Sequence, residues 1–274
     1  SGSIVLPLHN PIRVAEDWAL IDNLSHGRVG LSLATGWHKN DFTLSPANYT
    51  ERKKILIDKL EILHKLWKGE PVTFIGVDGI ENEISTYPRP IQPILPIWLT
   101  VAGNPESFRQ AGSMGVNLLT HLLGQSIDEL AVKIKIYKDA LIAANYRVDE
   151  KTITLMIHTF VSHSEAYVME MVKEPFKNYL KTSIDLIKQV YTGDDIEQLT
   201  PEALDAVLDY AFERYYHSSG LFGTAESCQA MIDKLKGIGI TEIACLIDFG
   251  IADTIVLDNL KYLNELRLST QPQP

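Results

Sequence analysis

Cysteine is scarce in this chain: Cys228 and Cys245 are the only two among 274 residues. Two thiols cannot build a disulfide framework, and their separation matches no metal-ligand spacing, so both read as small buried apolar residues. Basic charge is also short. Lys and Arg total 25 against 35 Asp and Glu, a formal net charge of -10. That leaves no cationic excess to neutralise phosphates, so nucleic acid is not an expected partner. No apolar run reaches the ~18 residues a membrane span requires, so no membrane partner is expected either. With no signal-peptide pattern in view, the cytoplasm is the expected compartment. Signatures of self-sufficient chemistry are missing as well: there is no HExxH, no Ser-His-Asp order, no paired-carboxylate motif and no GxGxxG. No metal site is expected and no catalytic residue is assigned. Any chemistry falls to a bound cofactor.

What is present is an alternation. Apolar runs at residues 4–8, 28–34, 97–102, 117–122, 152–162 and 241–248 predict strands. Amphipathic stretches at 12–24, 50–67, 106–114, 127–144, 165–190, 201–217, 225–237 and 255–266 predict helices. Val14, Trp18 and Ile21 mark the apolar face of the first helix; Ile55, Leu56, Leu60, Leu63 and Leu66 mark that of the second. Ser126 before "IDEL" reads as a helix cap, and Gly237 with Gly239 as a helix stop. Apolar strands separated by helices imply an α/β fold whose parallel sheet is covered on its outer face, a βα barrel or a doubly wound sheet. Two segments interrupt the pattern. Residues 70–96 read as a hairpin insertion with a proline-rich approach to the next strand. Residues 165–223 read as a helical excursion, two long helices joined by "YTGDDIEQLT". No interdomain linker stands out, so 1–274 reads as one domain.

In parallel α/β folds, the loops after the strands build the site. In "GRVGLSLATGWHKNDF", residues 27–42, the small Ala34, Thr35 and Gly36 would let a planar ring lie against the backbone. Trp37 could wall that pocket, with Asn40 or Asp41 taking a ring or ribityl hydrogen bond; a plain turn with Trp37 in the core is the competing reading. In "IWLTVAGNPESFRQAG", residues 97–112, a strand ends at Ala102 and Gly103 supplies a flexible turn. Asn104 or Ser107 then sits at a helix start whose amides suit a phosphate. Asn104 before Pro105 is equally an ordinary helix cap. In "NLLTHLL", Thr120 and His121 interrupt an apolar strand near its end, facing either a ligand or the core. His158 in "LMIHTFVS" poses the same choice.

Three stretches carry a resemblance: "NPIRVAEDWALIDNLSHGRVGLSLATGWHKNDF", "AGNPESFRQAGSMGVNLLTHLL" and "GTAESCQAMIDKLKGIGITEIACLIDFG". Together they resemble the bacterial-luciferase-like flavin monooxygenases, most closely the branch found with nonribosomal peptide and polyketide assembly lines of secondary metabolism. The similarity runs from residue 4 to about residue 266. It implies a (βα)8 TIM-barrel-like fold and an oxidoreductase that takes reduced FMN from a flavin reductase. With O2 the enzyme oxygenates an acyl or peptidyl substrate, a small molecule or a group held on a carrier protein. Ala34, Thr35, Gly36 and Trp37 match the strand end that lines flavin, although Thr35 stands where luciferase has a phosphate-binding arginine. Asp41 matches an acid near the flavin; Ala102, Gly103, Asn104 and Ser107 match the loop and helix start that hold its phosphate. His121 stands where luciferase places a tryptophan beside the ring.

The resemblance also places two further βα units before "IVLPLHNP". It therefore predicts a barrel truncated at its start, with six of eight strands seen, an unpaired sheet edge and weak or absent flavin affinity. The superfamily implies a homodimer. Two other functions fit the same residues: F420-dependent hydride transfer, and a non-catalytic flavin-binding or dimerisation module.

Overall fold

Seven parallel strands and eight helices alternate along the residues described by the computed structural model, 3–182 and 200–271. They group into two compact units. One comprises Ser1–Val101 with Gly115–Leu119, the other Ala102–Met114 with Thr120–Pro274. None of the described helices is long and apolar enough to cross a membrane.

In the first unit, β1 (Ser3–Val5), β2 (Leu31–Ala34), β5 (Ile97–Thr100) and the start of β6 (Asn117–His121) lie side by side, all parallel. The period of two assigns their faces. Leu31, Leu33, Ile97, Leu99 and Leu118 are buried on the helix-covered side. The opposite face carries Ser3, Ser32 and Thr100, whose hydroxyls satisfy one another: Thr100 Oγ1 lies 2.5 Å from both Ser3 Oγ and Ser32 Oγ. The same face also carries Val5, Trp98 and Leu119, so the hydroxyls form a polar cluster within a mixed face.

The first strand stops at Val5 instead of running to residue 8, because Pro7 has no N–H for a ladder; Leu6–Leu8 is a 3-10 turn. Helix α1 (Pro11–Leu24) starts as its sequence dictates, with the Asn10 side chain accepting from the Ile12 amide and Pro11 at the first position. Its apolar face is not the expected one. Val14, Ala15, Ala19 and Asp22 are buried, while Ile21 is 43% exposed. Asp22 explains the rotation. Its Oδ2 accepts from the amides of Ile91 and Gln92 at 2.7 and 2.9 Å, and its Oδ1 from Gln92 Nε2 at 2.7 Å.

Helix α2 (Arg52–Lys68) buries Leu56, Leu60, Leu63 and Leu66 at spacings of four and three and ends at left-handed Gly69. Its last carbonyls, Leu66 O and Trp67 O, accept from the Arg89 guanidinium. The insertion after α2 is an antiparallel pair, β3 (Val72–Ile75) with β4 (Glu81–Ile84), followed by the proline-rich strap that Asp22 and Arg89 hold.

In the second unit, β7 (Ile153–Val161) pairs in parallel with β8 (Leu221–Gly223) near its end and with β9 (Glu242–Leu246) along its first half. β8 is the strand that the sequence reading does not pick out. Its three residues, Leu221, Phe222 and Gly223, are too few for an apolar run to register. Helix α3 (Pro105–Ser113) packs on α4 (Ile127–Ala143) at Gly112, where any Cβ would meet the Tyr137 carbonyl oxygen and the Leu141 amide. Helices α5 (Glu165–Thr182) and α6 (Pro201–Ser218) share an aromatic core built on Phe176, Phe212 and Tyr215. They are tied by buried Lys177, whose Nζ lies 2.8 Å from Asp205 and 3.0 Å from Asp209. Helices α7 (Ala225–Ile238) and α8 (Asp253–Thr270) flank β9 in sequence. The expected helix over 183–190 and most of the connection at 191–200 lie outside the described residues.

Candidate functional site

In the first unit the expected site residues sit on the turn that follows β2. Ala34 and Thr35 are half-buried, and Gly36 turns the chain at φ +77°. Gly36 is needed twice over, because an added Cβ would stand 2.7 Å from Val5 Cγ1 and 2.8 Å from Phe42 Cε2. The turn is held from outside. Arg52 Nε donates to Gly36 O at 3.1 Å and Nη1 to Tyr49 O at 2.8 Å, while its guanidinium lies 4.4 Å over the Tyr49 ring. Tyr49 in turn meets Phe42 edge-on at 5.1 Å.

The turn after β1 is pinned in the same manner. Lys59 Nζ donates to Pro7 O at 3.0 Å and His9 O at 2.7 Å, and Asn48 Nδ2 to Pro7 O at 2.7 Å. Arg52, Lys59 and Asn48 escape a sequence reading because their partners are main-chain carbonyls 16 to 52 residues away. Trp37 corrects an expectation. It is 66% exposed, touching His38 edge-on at 5.4 Å, so it does not fill core. Asp41 is exposed beside it. Gly36→Ala is expected to destabilise the chain by about 1–3 kcal/mol, from left-handed strain plus the Val5 and Phe42 overlap. Denaturant melts check this; a loss under 0.5 kcal/mol would mean that the turn relaxes freely.

The other expected residues lie in the second unit. Ala102, Gly103 and Asn104 are exposed, and a Cβ on Gly103 would meet nothing within 4 Å. Asn104 caps α3 by accepting from the Glu106 amide at 2.9 Å, and Ser107 is half-buried in the first turn. Three helix starts in this unit can be compared. At α4, Ser126 and Glu129 form a closed capping box. At α7, the Glu165 carboxylate accepts from the Thr224 amide at 3.0 Å and from Ser227 Oγ. At α3 the cap is a neutral amide side chain, and Glu106 turns away to Arg109 at 3.2 Å. Of these three, α4 and α7 already hold a carboxylate of the protein and α3 does not; α6, capped by the Thr200 hydroxyl, and α8, with no side-chain cap, do not either.

His121 ends β6 half-buried. Its Nδ1 accepts from the Leu123 amide at 3.2 Å, which leaves the ring proton on Nε2. Burial, with Lys133 nearby, holds the imidazole below the usual histidine range. His158, weighed but not assigned from sequence, is the most enclosed histidine of the unit's core. Phe176, Tyr179, Tyr215 and Phe249 meet its ring edge-on at 4.6 to 5.6 Å, and its Nδ1 lies 2.9 Å from the Tyr215 hydroxyl. Burial pushes it down to about 4 and lifts the Tyr215 phenol well above its ordinary value. Nothing in the sequence links these two residues, 57 positions apart.

The structure thus gathers Ala34, Thr35, Gly36, Trp37 and Asp41 in one unit, and Ala102, Gly103, Asn104, Ser107 and His121 in the other. A separate apolar cavity of about 580 Å³ opens among α7, β9 and α8, lined by Leu235, Ile240, Ile243, Leu260 and Leu263. None of the site residues above lines it; its polar lining includes Lys236, Glu242, Cys245 and Arg267.

Comparison with known proteins gives the geometry a context. Residues 1–242 match the family model described as luciferase-like monooxygenase. The oxygenase component of the flavin-dependent trigonelline monooxygenase of Acinetobacter baylyi is 26% identical over 260 residues, 92% of this chain and 70% of that protein. The chain spans about half the length of several other curated relatives that it matches. Among solved structures, one similar fold is the oxygenating constituent of 3,6-diketocamphane monooxygenase of Pseudomonas putida in complex with FMN. The TM-score is 0.76 at 16% identity, over 99% of this chain and 79% of that one. An F420-dependent secondary alcohol dehydrogenase in complex with an F420-acetone adduct gives a TM-score of 0.70 at 19% identity, covering 96% and 76%. The fold is accordingly of the TIM-barrel type.

Proposed function

The chain belongs to the luciferase-like monooxygenase family, and from that premise we propose that it holds reduced FMN and uses O2 to oxygenate a small acyl or peptidyl substrate. The observation that carries the reading is the start of α3, which no protein carboxylate closes. Asn104 takes the Glu106 and Ser107 amides there, and the exposed Gly103 backbone lies before it, while the starts of α4 and α7 are closed by Glu129 and Glu165. An anionic phosphate tail is favoured where the helix dipole and free N–H groups are not already neutralised. Within the first unit, taken by itself, Arg52 holds the Ala34–Thr35–Gly36 turn through the Gly36 carbonyl. When bound, reduced flavin supplies the electrons for O2 activation.

The relative matched along 92% of the chain is flavin-dependent and is an oxygenase component, which favours FMN and a separate flavin reductase as partner. A carrier-bound substrate and a homodimer belong to the same proposal. F420-dependent hydride transfer is the second reading, favoured by the fold shared with the F420 dehydrogenase.

Absorbance and fluorescence titrations of the chain with FMN and with F420 separate the two. Tighter binding of FMN, and reductase-driven O2 consumption in its presence, are expected. Preferential binding of F420 would replace the first reading by the second. Gly103→Asp sharpens the test, because its side chain enters open space and leaves the fold intact. FMN affinity should drop at least tenfold, about 1.4 kcal/mol, while riboflavin, which lacks the phosphate, binds as before. Equal loss for both would remove the phosphate from α3.

A further inference from the structure

The apolar cavity among α7, β9 and α8 lies wholly within the second unit and has no part in the cofactor reading. At about 580 Å³ it is far larger than the voids of a close-packed core. It falls in the size range of small-molecule pockets, about 300–1,000 Å³. Its walls follow from the sequence. The period of two in β9 turns Ile243 and Cys245 to one side, and both stay half-buried, whereas the neighbouring β7 is buried almost throughout. To this wall α8 adds Leu260 and Leu263, and α7 adds Leu235.

The charged lining belongs to the last turns of the two helices and the start of β9. Lys236, in the last turn of α7, donates through Nζ to Thr270 O at 2.9 Å. Arg267, in the last turn of α8, is held by Asn264, whose Oδ1 accepts from Nε and Nη2 at 3.0 and 2.9 Å. Each cation is exposed and rests on a neutral oxygen; neither pairs with a carboxylate among the described residues. The one acid among the described lining residues, Glu242, is engaged from β7, where Thr154 Oγ1 donates to its Oε1 at 2.7 Å. Apolar walls with two cations at an exposed end match an amphiphile. Its tail loses water against leucine and isoleucine, and its head keeps part of its water beside arginine and lysine.

We propose that this cavity binds a single-chain amphiphile with an anionic head, an alkyl carboxylate. Its tail lies against Ile243, Cys245, Leu260 and Leu263, and its carboxylate meets Arg267 and Lys236. The site is independent of the flavin reading, because none of its residues belongs to the stretches assigned to the cofactor, and either can fail alone. A carboxylate is the head that an arginine fork takes best, through charge-assisted hydrogen bonds. A neutral head would leave both cations with carbonyl and amide acceptors alone, and a cationic head would be repelled. An apolar face of a second copy is the competing occupant, and it would show no dependence on the length of a free alkyl tail.

The test uses the whole chain in calorimetric titrations with alkanoates from hexanoate to tetradecanoate, each below its micelle concentration, alongside dodecanol and dodecyltrimethylammonium. Affinity should rise about fourfold per added methylene and level off once the tail fills the cavity. Dodecanoate should bind about threefold tighter than dodecanol at low salt, added salt should narrow that gap, and the ammonium compound should bind weakest. Arg267→Gln is expected to erase the preference for the acid while keeping the dependence on length. Leu263→Trp should remove binding of every probe. Peptide mapping after iodoacetamide gives a separate readout: dodecanoate at ten times its Kd should slow alkylation of Cys245 about tenfold and leave buried Cys228 unchanged. Binding of none of the alkanoates overturns the proposal. So does equal affinity for acid, alcohol and ammonium, and so does an affinity that climbs without levelling while Cys245 stays unprotected, the mark of surface adsorption. A Cys245 that reacts only after dilution to monomer makes a second copy the occupant and overturns it as well. If Leu263→Trp does not fold, the protection of Cys245 and the response of Arg267→Gln still decide.

Discussion

Asp22→Ala is expected to cost about 3–5 kcal/mol of stability, the largest single loss argued for this chain. The carboxylate is 0% exposed and takes two main-chain amides and one side-chain amide from residues 91 and 92. Alanine would bury three donors without an acceptor, each carrying a desolvation cost of about 1–3 kcal/mol. The damage would spread along the strap. Gln92 also donates to Val29 O at 2.9 Å and accepts from Trp67 Nε1 at 2.9 Å, while Asn23 reaches Arg89 O at 2.8 Å. That strap delivers the chain into β5. Asp22→Asn should be nearly as harmful, since one of its two heads would face donors with a donor. Asp17→Ala, on the exposed side of the same helix, should stay within about 0.5 kcal/mol. Urea melts of the three variants decide. If Asp22→Ala and Asp17→Ala unfold at the same urea concentration, the buried carboxylate is not what anchors the strap.

Asp22 also marks where sequence reading ends. The stripe of α2, the Ser126 cap and the Asn104–Pro105 start were legible because each depends on residues within one or two turns. The face of α1 was not: Ile21 is apolar and was assigned inward, but the inward position belongs to an acid whose partners lie about seventy residues away. The same reason hid Lys59 and Arg52, whose obligations are to backbone carbonyls set by tertiary packing. The short β8 was invisible for want of length. For the candidate site, sequence pointed to the stretch after β2 and to a helix start at residues 104–107, and the structure has a turn at Gly36 and the start of α3 at Pro105. It placed Trp37 inward when that residue stands in solvent, because an aromatic after Gly36 has no local signal that says which way it faces. It also had no means of seeing that Glu165 closes α7, and so could not rank the helix starts against one another.

His158 should make the chain lose stability in mild acid. Its imidazole is pushed down to about 4, chiefly by burial; Asp248 pulls the other way and His121 adds to the depression. In the unfolded chain the same group titrates near its ordinary 6.5. Between those values the unfolded state holds a proton that the native state refuses, so stability rises with pH through this window. The contribution is complete above about pH 7 and declines as pH falls, by about 2–3 kcal/mol at pH 4.5. His158→Phe removes this titration but leaves the buried Tyr215 hydroxyl without its ring-nitrogen partner, at about 1–3 kcal/mol. The two proteins should therefore behave oppositely with pH: the parent is the more stable at pH 7.5, and its advantage shrinks to nothing or reverses near pH 4.5. Other depressed histidines, His64 and His121, titrate in both proteins and cancel in the comparison. Urea unfolding at the two pH values reads the difference directly. Parallel stability curves, with the same gap at both, would mean that the aromatic cage of Phe176, Tyr179, Tyr215 and Phe249 opens to water at little cost. The α5–α6 layer would then not be the sealed cover over β7 that its packing indicates.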